Sequence, residues 1–133
     1  MAACAAQQAA LDGFARTETE VGGTVLTVLV ADTPILRNQG FRGVEALPDD
    51  VDGMLFVFEE PRPATFGMRD TLLPLDIWWF DADGVLLGSA RMEPCSSEPC
   101  PSYGSPGPIS WALETPAGAL DLIAGQRLVF DAP

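Results

Sequence analysis

Two aspartates and an arginine in one short stretch are the residues of this chain best suited to chemistry. Asp70 and Asp76 are separated by a proline- and leucine-rich segment, and Arg69 directly precedes the first of them. Two carboxylates in different environments can act as acid and base, with arginine holding negative charge on a substrate. In the alternative interpretation, Asp70 caps a turn, Asp76 accepts backbone hydrogen bonds and Arg69 pairs with either carboxylate. The sequence favours this structural role, because Asp and Arg beside Pro and Gly are typical of loops.

The absence of two residue types excludes most other catalytic chemistry. The chain contains no histidine and no lysine. This rules out Ser-His-Asp and Cys-His catalysis, histidine-ligated zinc, Schiff-base chemistry and the lysine of a phosphate-binding P-loop. Acid–base chemistry must therefore come from carboxylates, from Tyr103 or from bound water. Tyr103 is the single tyrosine, and we expect it to anchor its loop. The sequence predicts neither a metal nor a cofactor.

The charge balance excludes further classes of partner. Nineteen acidic residues oppose seven basic ones, all arginines, which gives a net charge of −12. Such a chain repels phosphate backbones, and no basic stripe opposes that repulsion, so we expect no nucleic-acid binding. Anionic membrane surfaces are disfavoured for the same reason. We therefore expect an acidic domain that is monomeric.

The cysteines indicate a compartment. Cys95 and Cys100 enclose four residues in a loop rich in proline and serine, which predicts a local disulfide worth about 2 kcal/mol. A zinc site would need two further ligands. A disulfide implies an oxidising compartment, so we expect an exported protein, periplasmic, extracellular or on the cell surface. The opening MAACAAQQ resembles the end of a lipobox, in which Cys4 would be acylated. Alternatively, Met1 is the native start and Cys4 an incidental thiol.

The pattern of apolar residues predicts many short strands. Residues 1–20 carry no β signal and are predicted to form a tether or a signal-peptide remnant, followed by a single β domain over residues 21–133. Gly22 to Asp32 is a β-branched run typical of a strand covered on both faces. A helix should follow, with Thr33 as its N-cap, Ile35 and Leu36 facing inward, and Gly40 at its end.

Three further segments complete the predicted fold. Gly53 to Phe58 is a continuous apolar strand, and Ile109 to Thr115 is a strand that alternates. Asp76 to Phe80 and Val85 to Met92 form a hairpin, and its DADG turn, which resembles part of a calcium loop, lacks the further oxygen ligands such a loop needs. The fold class is therefore all-β, a mostly antiparallel sandwich or barrel with one or two short helices.

A ligand pocket can be assembled from residues outside the predicted core. Trp78 and Trp79 are adjacent and must point to opposite faces of a strand, so one of them could line a cleft, although core packing is favoured for the pair. If Trp111 and Leu113 face the core, Glu114 faces outward, where it could lie beside an arginine. The candidate binding residues are Phe66, Arg69, Asp70, Trp78, Tyr103 and Glu114.

Five segments of the chain, in order, resemble one known family. VADTPILRNQGFRG, GMLFVF, FGMRDTLLPLDIWWFDADGVLLG, PCSSEPCPSYGS and WALETPAG are similar to the bacterial and archaeal domain of unknown function 192, over about Gly22 to Phe130. The resemblance implies a small, jelly-roll-like all-β domain, often exported or lipid-anchored, with no established activity. The chain departs from the family where Gly67 replaces a tryptophan, Asp70 an asparagine, and Phe41-Arg42 a Leu-Met pair.

Three functions remain open from the sequence. The first is an exported binding or accessory module for a small molecule or a glycan. The second is a small cofactor-independent enzyme, a hydrolase, lyase or cyclase, that uses carboxylates for acid–base chemistry and arginine for charge. The third is a purely structural domain without a pocket.

Overall fold

The protein is built on one large curled β-sheet with a small second sheet beside it. The computed structural model describes residues 10–130. The large sheet has the strand order β6-β5-β8-β3-β2-β1-β9, and the small sheet pairs β4 with β7. The strands are β1 (Ala15–Val21), β2 (Thr24–Ala31), β3 (Gly53–Arg62), β4 (Thr65–Gly67), β5 (Leu75–Phe80), β6 (Leu86–Met92), β7 (Ser102–Gly104), β8 (Ile109–Pro116) and β9 (Leu128–Val129).

The large sheet is mixed and forms a half-barrel. Its neighbouring strands are antiparallel except for β2 and β3, which run parallel because a crossover over residues 32–52 connects them. The sheet curls so far that its two edges touch at one corner, where the Leu128 N–H donates to the Gly84 carbonyl at 2.8 Å and the Leu86 N–H to the Gln126 carbonyl at 2.9 Å. The predicted all-β class is confirmed. Within the described residues, no helix is long and apolar enough to cross a bilayer.

The crossover begins with the predicted helix, α1 (Pro34–Gln39). The Thr33 hydroxyl accepts a hydrogen bond from the Leu36 N–H, and Gly40 ends the helix with φ of 49°. Leu36 packs against the core, but Ile35 is 79 % exposed, so the prediction that both face inward is wrong for Ile35. A helix of this length presents only a narrow stripe to the sheet, and that stripe contains Leu36.

The folded domain begins earlier than predicted. The sequence predicts a tether or a signal-peptide remnant over residues 1–20, but β1 pairs with β2 along its whole length, from Ala15 opposite Val30 to Val21 opposite Thr24. The preceding Leu11 and Phe14 are buried in the core. The sequence does not predict this strand, because its residues, ARTETEV, offer the core little apolar surface. Cys4 and the rest of residues 1–9 lie outside the described residues.

The β5–β6 hairpin forms as predicted. The Asp81 carboxylate accepts hydrogen bonds from the N–H groups of Asp83 and Val85, both at 2.9 Å, and this fixes the turn. Gly84 has φ of 80°, and a Cβ at this position would lie 2.5 Å from the Leu128 carbonyl oxygen. Glycine is therefore required both by the turn and by the contact that closes the half-barrel.

Both faces of the large sheet are covered, and they form separate cores. We call the side that carries Met54 and Trp79 the front face, and the side that carries Leu55 and Trp78 the back face. The N-terminal segment, the crossover and the small sheet cover the front face, and the C-terminal segment covers the back through Leu120 and other residues. The adjacent tryptophans thus point to opposite faces, as predicted.

The N-terminal boundary can be tested through Phe14. Phe14→Ala should lower the free energy of unfolding by about 3 kcal/mol, because it removes a ring that is 6 % exposed and leaves a cavity. The control is Ile35→Ala, which should change stability by less than about 0.5 kcal/mol. Urea denaturation followed by tryptophan fluorescence measures both. Equal stability of Phe14→Ala and the wild type would restore the tether interpretation.

Candidate functional site

An open cleft of about 990 Å³ lies on the front face. Its walls come from α1 and the segment after it, the end of β3, β4 with the residues that follow, and the loop that contains Cys100. The crossover and the small sheet therefore shape the cleft, and the large sheet supplies its floor. Within the described part of the chain, no group of three or more metal-ligating residues is arranged around a cation site.

The cleft collects most of the positive charge of an acidic protein. Four of the seven arginines line it: Arg37, Arg42, Arg62 and Arg69. The carboxylates in the lining are Asp70, Glu98 and Glu114. Four arginines against three carboxylates leave a small excess of positive charge in the lining, on a chain whose net charge is −12.

Two of these arginines share one aromatic ring. The guanidinium carbons of Arg37 and Arg62 lie 4.9 and 4.8 Å from the centroid of the Phe58 ring. Arg37 also donates to the Val57 carbonyl at 2.9 Å. Burial and the charge of Arg62 lower the pKa of Arg37, and the negative charges of Glu59 and Asp32 offset this only in part. Neither arginine has a carboxylate within ion-pair distance among residues 10–130. A bound anion between them would relieve this repulsion.

Arg69 is held at the rim by the disulfide loop. Its guanidinium lies 3.3 Å from a Glu98 carboxylate oxygen and 3.8 Å from one of Asp70. The predicted bond between Cys95 and Cys100 is present, and the second Glu98 oxygen accepts the Cys100 N–H at 3.0 Å. The disulfide loop thus positions a counter-charge for Arg69. Because these groups are more than half exposed, the pairing contributes little to stability.

The apolar wall of the cleft is formed by phenylalanines. Phe66 packs edge-on against Phe56 and Phe58, with ring centroids 5.4 and 6.4 Å apart. Next to it, Gly67 faces open space, since a Cβ at this position would meet no atom within 4 Å. The position where the family resemblance implies a tryptophan is therefore an opening in this protein.

Glu114 lies at the floor of the cleft, contrary to the predicted outward orientation. It is 5 % exposed and stands on β8 between Met54 of β3 and Ile77 of β5. Burial raises the pKa of Glu114 to about 8. Within residues 10–130 its carboxyl has no hydrogen-bond or ion-pair partner. The prediction failed because it assumed one solvent-facing side for β8, whereas this strand is covered on both.

Asp76 does not line the cleft. Its carboxylate accepts hydrogen bonds from Arg91 at 2.5 and 3.3 Å and from the Gly118 N–H at 2.9 Å. Burial alone would raise the pKa of Asp76, but the bonds from Arg91 and Gly118 outweigh it and lower that pKa. Asp76 borders a second cavity of about 450 Å³, whereas Asp70 lines the cleft. The two aspartates do not form an acid–base pair, and the structural role of Asp76 fits its contacts.

The remaining candidates separate into two groups. Phe66, Arg69, Asp70 and Glu114 line the cleft, but Trp78 and Tyr103 do not. Trp78 packs in the back core and donates to the Thr115 hydroxyl at 3.2 Å. The Tyr103 hydroxyl accepts the Glu93 N–H at 3.4 Å, as expected of a loop anchor.

Sequence reasoning missed three residues of the site, Arg37, Phe58 and Arg62. One signal was available. Four of the seven arginines fall between positions 37 and 69, although acids outnumber bases almost threefold in the chain. What the sequence could not show is that the parallel β2–β3 pairing places α1 beside the end of β3.

Fold and site together define a small half-barrel protein with an arginine-lined cleft and a buried carboxyl at its floor. The chain belongs to the domain of unknown function 192 family (DUF192), described as "Uncharacterized ACR", whose model matches residues 16–130. No curated protein matches the chain. The family membership expected from the five segments is thereby confirmed.

Two crystal structures share the fold. One is of a candidate transcription regulator from Sinorhizobium meliloti 1021, with 32 % identity, a TM-score of 0.76, and coverage of 87 % of this chain and 94 % of that one. The other is of a protein of unknown function from Novosphingobium aromaticivorans DSM 12444, with 26 % identity, a TM-score of 0.75, and coverage of 86 % and 85 %.

The state of Glu114 can be tested through stability. An unfolded chain releases this proton near pH 4.5 and the folded chain near pH 8, so wild-type stability should fall between those values. The slope due to this group is at most about 1.4 kcal/mol per pH unit, and the loss is complete above the folded pKa. Glu114→Gln should remove this slope, whereas the exposed control Glu18→Gln should retain it. Urea unfolding across this pH range measures the difference. Parallel curves for wild type and Glu114→Gln would show that Glu114 is ionised in the folded protein.

Proposed function

We propose that this protein is a binding module for a small organic anion, which it holds in the front cleft. The observation that carries the proposal is the placement of four of its seven arginines around that cleft. Two of them, Arg37 and Arg62, stack on Phe58 without a carboxylate partner among residues 10–130. Guanidinium groups in a partly desolvated cleft bind carboxylate, phosphate or sulfonate by charge-assisted hydrogen bonds.

The lining also favours an apolar body on the ligand. Phe56, Phe58 and Phe66 form a continuous edge-on cluster at the wall. A neutral glycan fits less well, because it would leave the arginine charges uncompensated and because no tryptophan lines the cleft in the described part of the chain. An aromatic or branched aliphatic acid matches both the charge and the wall.

Direct nucleic-acid binding is not part of the proposal. The arginines are confined to a concave cleft rather than spread along a surface, and the net charge of −12 opposes approach to a phosphate backbone. The Sinorhizobium relative is described as a candidate transcription regulator. If this chain takes part in regulation, the binding of a small ligand suits its charge better than contact with DNA.

We place this activity outside the cytoplasm. Cys95 and Cys100 form a disulfide, of which Cys100 lines the cleft, and such bonds persist in oxidising compartments. Acylation of Cys4 would attach the domain to a membrane while the cleft stays accessible. Mass spectrometry of the protein from its native host tests both: two free thiols at Cys95 and Cys100, or an unmodified Cys4 on a longer N-terminus, would contradict them.

A second candidate function is a cofactor-independent hydrolase, lyase or cyclase. Glu114 favours it, because a buried carboxyl with a pKa of about 8 suits proton transfer near neutral pH. In this function Glu114, rather than Asp70 or Asp76, is the acid–base residue, and the arginines hold the substrate. A bound anion that is converted by the wild type but only bound by Glu114→Gln would support this candidate.

Anion binding can be tested with 4-isopropylbenzoate and its neutral counterpart, 4-isopropylbenzamide. We expect calorimetry to detect the carboxylate and not the amide, with an affinity that falls as salt screens the arginines. Arg62→Gln should weaken binding about tenfold, the loss of one charged hydrogen bond. Arg127→Gln makes the same charge change outside the cleft and should leave the affinity unchanged. Equal affinities in both variants, or no binding of the acid at millimolar concentration, would overturn the proposal.

The opening at Gly67 gives an independent test of where the anion binds. Gly67→Trp should fold, because nothing lies within 4 Å of the new Cβ, and its indole should fill the cleft and abolish binding of 4-isopropylbenzoate. Gly104→Trp is the matched control, since Gly104 also faces open space but does not line the cleft. If both variants bind like the wild type, the ligand lies elsewhere.

A further inference from the structure

The floor of the cleft carries a group that the fold itself does not use. Glu114 is 5 % exposed and lies on a central strand. Burial is the only influence on its pKa, and within residues 10–130 its carboxyl has no hydrogen-bond or ion-pair partner. Burial of an unpaired polar group costs free energy. Such a cost at the floor of an open cleft points to a partner that arrives from outside the fold.

The surroundings of Glu114 show what that partner could contact. Met54 on β3 and Ile77 on β5 flank it and offer no polar atom. The charged groups of the cleft come from the other walls: Arg37 and Arg42 from α1 and the residues after it, Arg62 from β3, Arg69 and Asp70 after β4, and Glu98 from the disulfide loop. None of them forms a hydrogen bond or ion pair with the Glu114 carboxyl.

We propose that Glu114 is the inner contact of the ligand, and that the ligand is an organic anion with a carbonyl-type acceptor at the end opposite its charge. This rests on the proposed function, since the arginines must hold the charged end. The neutral Glu114 carboxyl donates its O–H to the acceptor, and the phenylalanine wall covers the apolar body between the two ends. The cleft therefore selects among organic anions by what they carry at their inner end.

This contact makes recognition depend on one proton. A neutral carboxyl donates a hydrogen bond, whereas an ionised one can only accept, and would oppose the carbonyl oxygen. Because burial raises the pKa of Glu114 to about 8, the donor is present at neutral pH and lost in mild alkali. The arginines remain charged throughout. The negative charge of an ionised Glu114 repels any bound anion equally, so a comparison of two anions isolates the lost hydrogen bond.

The test compares two probes of nearly the same shape, 4-acetylbenzoate and 4-isopropylbenzoate. Both carry the same ionised carboxylate, and they differ in a carbonyl oxygen against a methyl group at the far end. Calorimetry at about pH 6 and about pH 9 would use the wild type, Glu114→Gln, Glu114→Leu and Glu18→Gln. Glutamine at position 114 keeps an N–H donor at both pH values, leucine removes the donor at both, and Glu18→Gln makes the same Glu-to-Gln change at an exposed position outside the cleft.

We expect the wild type to bind 4-acetylbenzoate more tightly than 4-isopropylbenzoate at about pH 6. The ratio of the two affinities should fall about tenfold at about pH 9, where roughly a tenth of the chains keep the proton of Glu114. Glu114→Gln should keep the preference at both pH values, Glu114→Leu should lack it at both, and Glu18→Gln should behave like the wild type. Preference retained in Glu114→Leu, or the same preference in the wild type at both pH values, would overturn the inference.

The outcomes separate this inference from the proposed function. If both probes bind through the arginines with equal affinity, the result supports the anion site but contradicts the contact with Glu114. If neither probe binds at millimolar concentration and Arg62→Gln has no effect, the proposed function fails and the inference fails with it.

Discussion

The coverage of the large sheet on both faces is the constraint from which the other features of this protein follow. Central strands of such a sheet have no solvent side, so each polar side chain on them needs a partner within the protein. Thr115 has one in the Trp78 indole, and Asp76 has one in Arg91. Among the described residues of β5 and β8, the indole N–H groups of Trp79 and Trp111 and the carboxyl of Glu114 have none. Of these three, only Glu114 lines the cleft, where the cover of the front face opens. Its carboxyl is therefore the group of this kind that a ligand in the cleft can reach.

Much of the fold could be predicted from local chemistry. The N-cap at Thr33, the Asp81–Gly84 turn and the β-branched run of β2 each express a preference that a short segment has by itself. Strand β1 could not be found in this way, because its threonines and glutamates join the sheet through backbone pairing with β2 and offer little apolar periodicity.

The candidate site was only half predictable, for a physical reason. Phe66, Arg69 and Asp70 are neighbours in sequence, and they lie in the segment where Gly67 and Asp70 depart from the family pattern. Arg37 and Arg62 reach the same cleft through the crossover and the parallel pairing of β2 with β3, which leave no trace in local sequence. Alternation along β8 predicts an exposed Glu114 only if one face of the strand is solvent-exposed. On a strand buried on both sides, alternation only distinguishes one core from the other.

The small sheet formed by β4 and β7 is hydrogen-bonded as a sheet apart from the large one. It carries Phe66 and Gly67, whereas the large sheet closes on itself through the contacts of Gly84 and Leu128. The part of the cleft wall that contains Phe66 and Gly67 therefore lies outside the hydrogen-bonded framework of the half-barrel, whereas the floor, with Glu114, belongs to that framework. Under the proposed function, substitutions in the small sheet can alter the wall of the cleft while the half-barrel stays the same. Members of the family can thus share one architecture and differ at this wall, so a shared fold is a poor guide to a shared ligand.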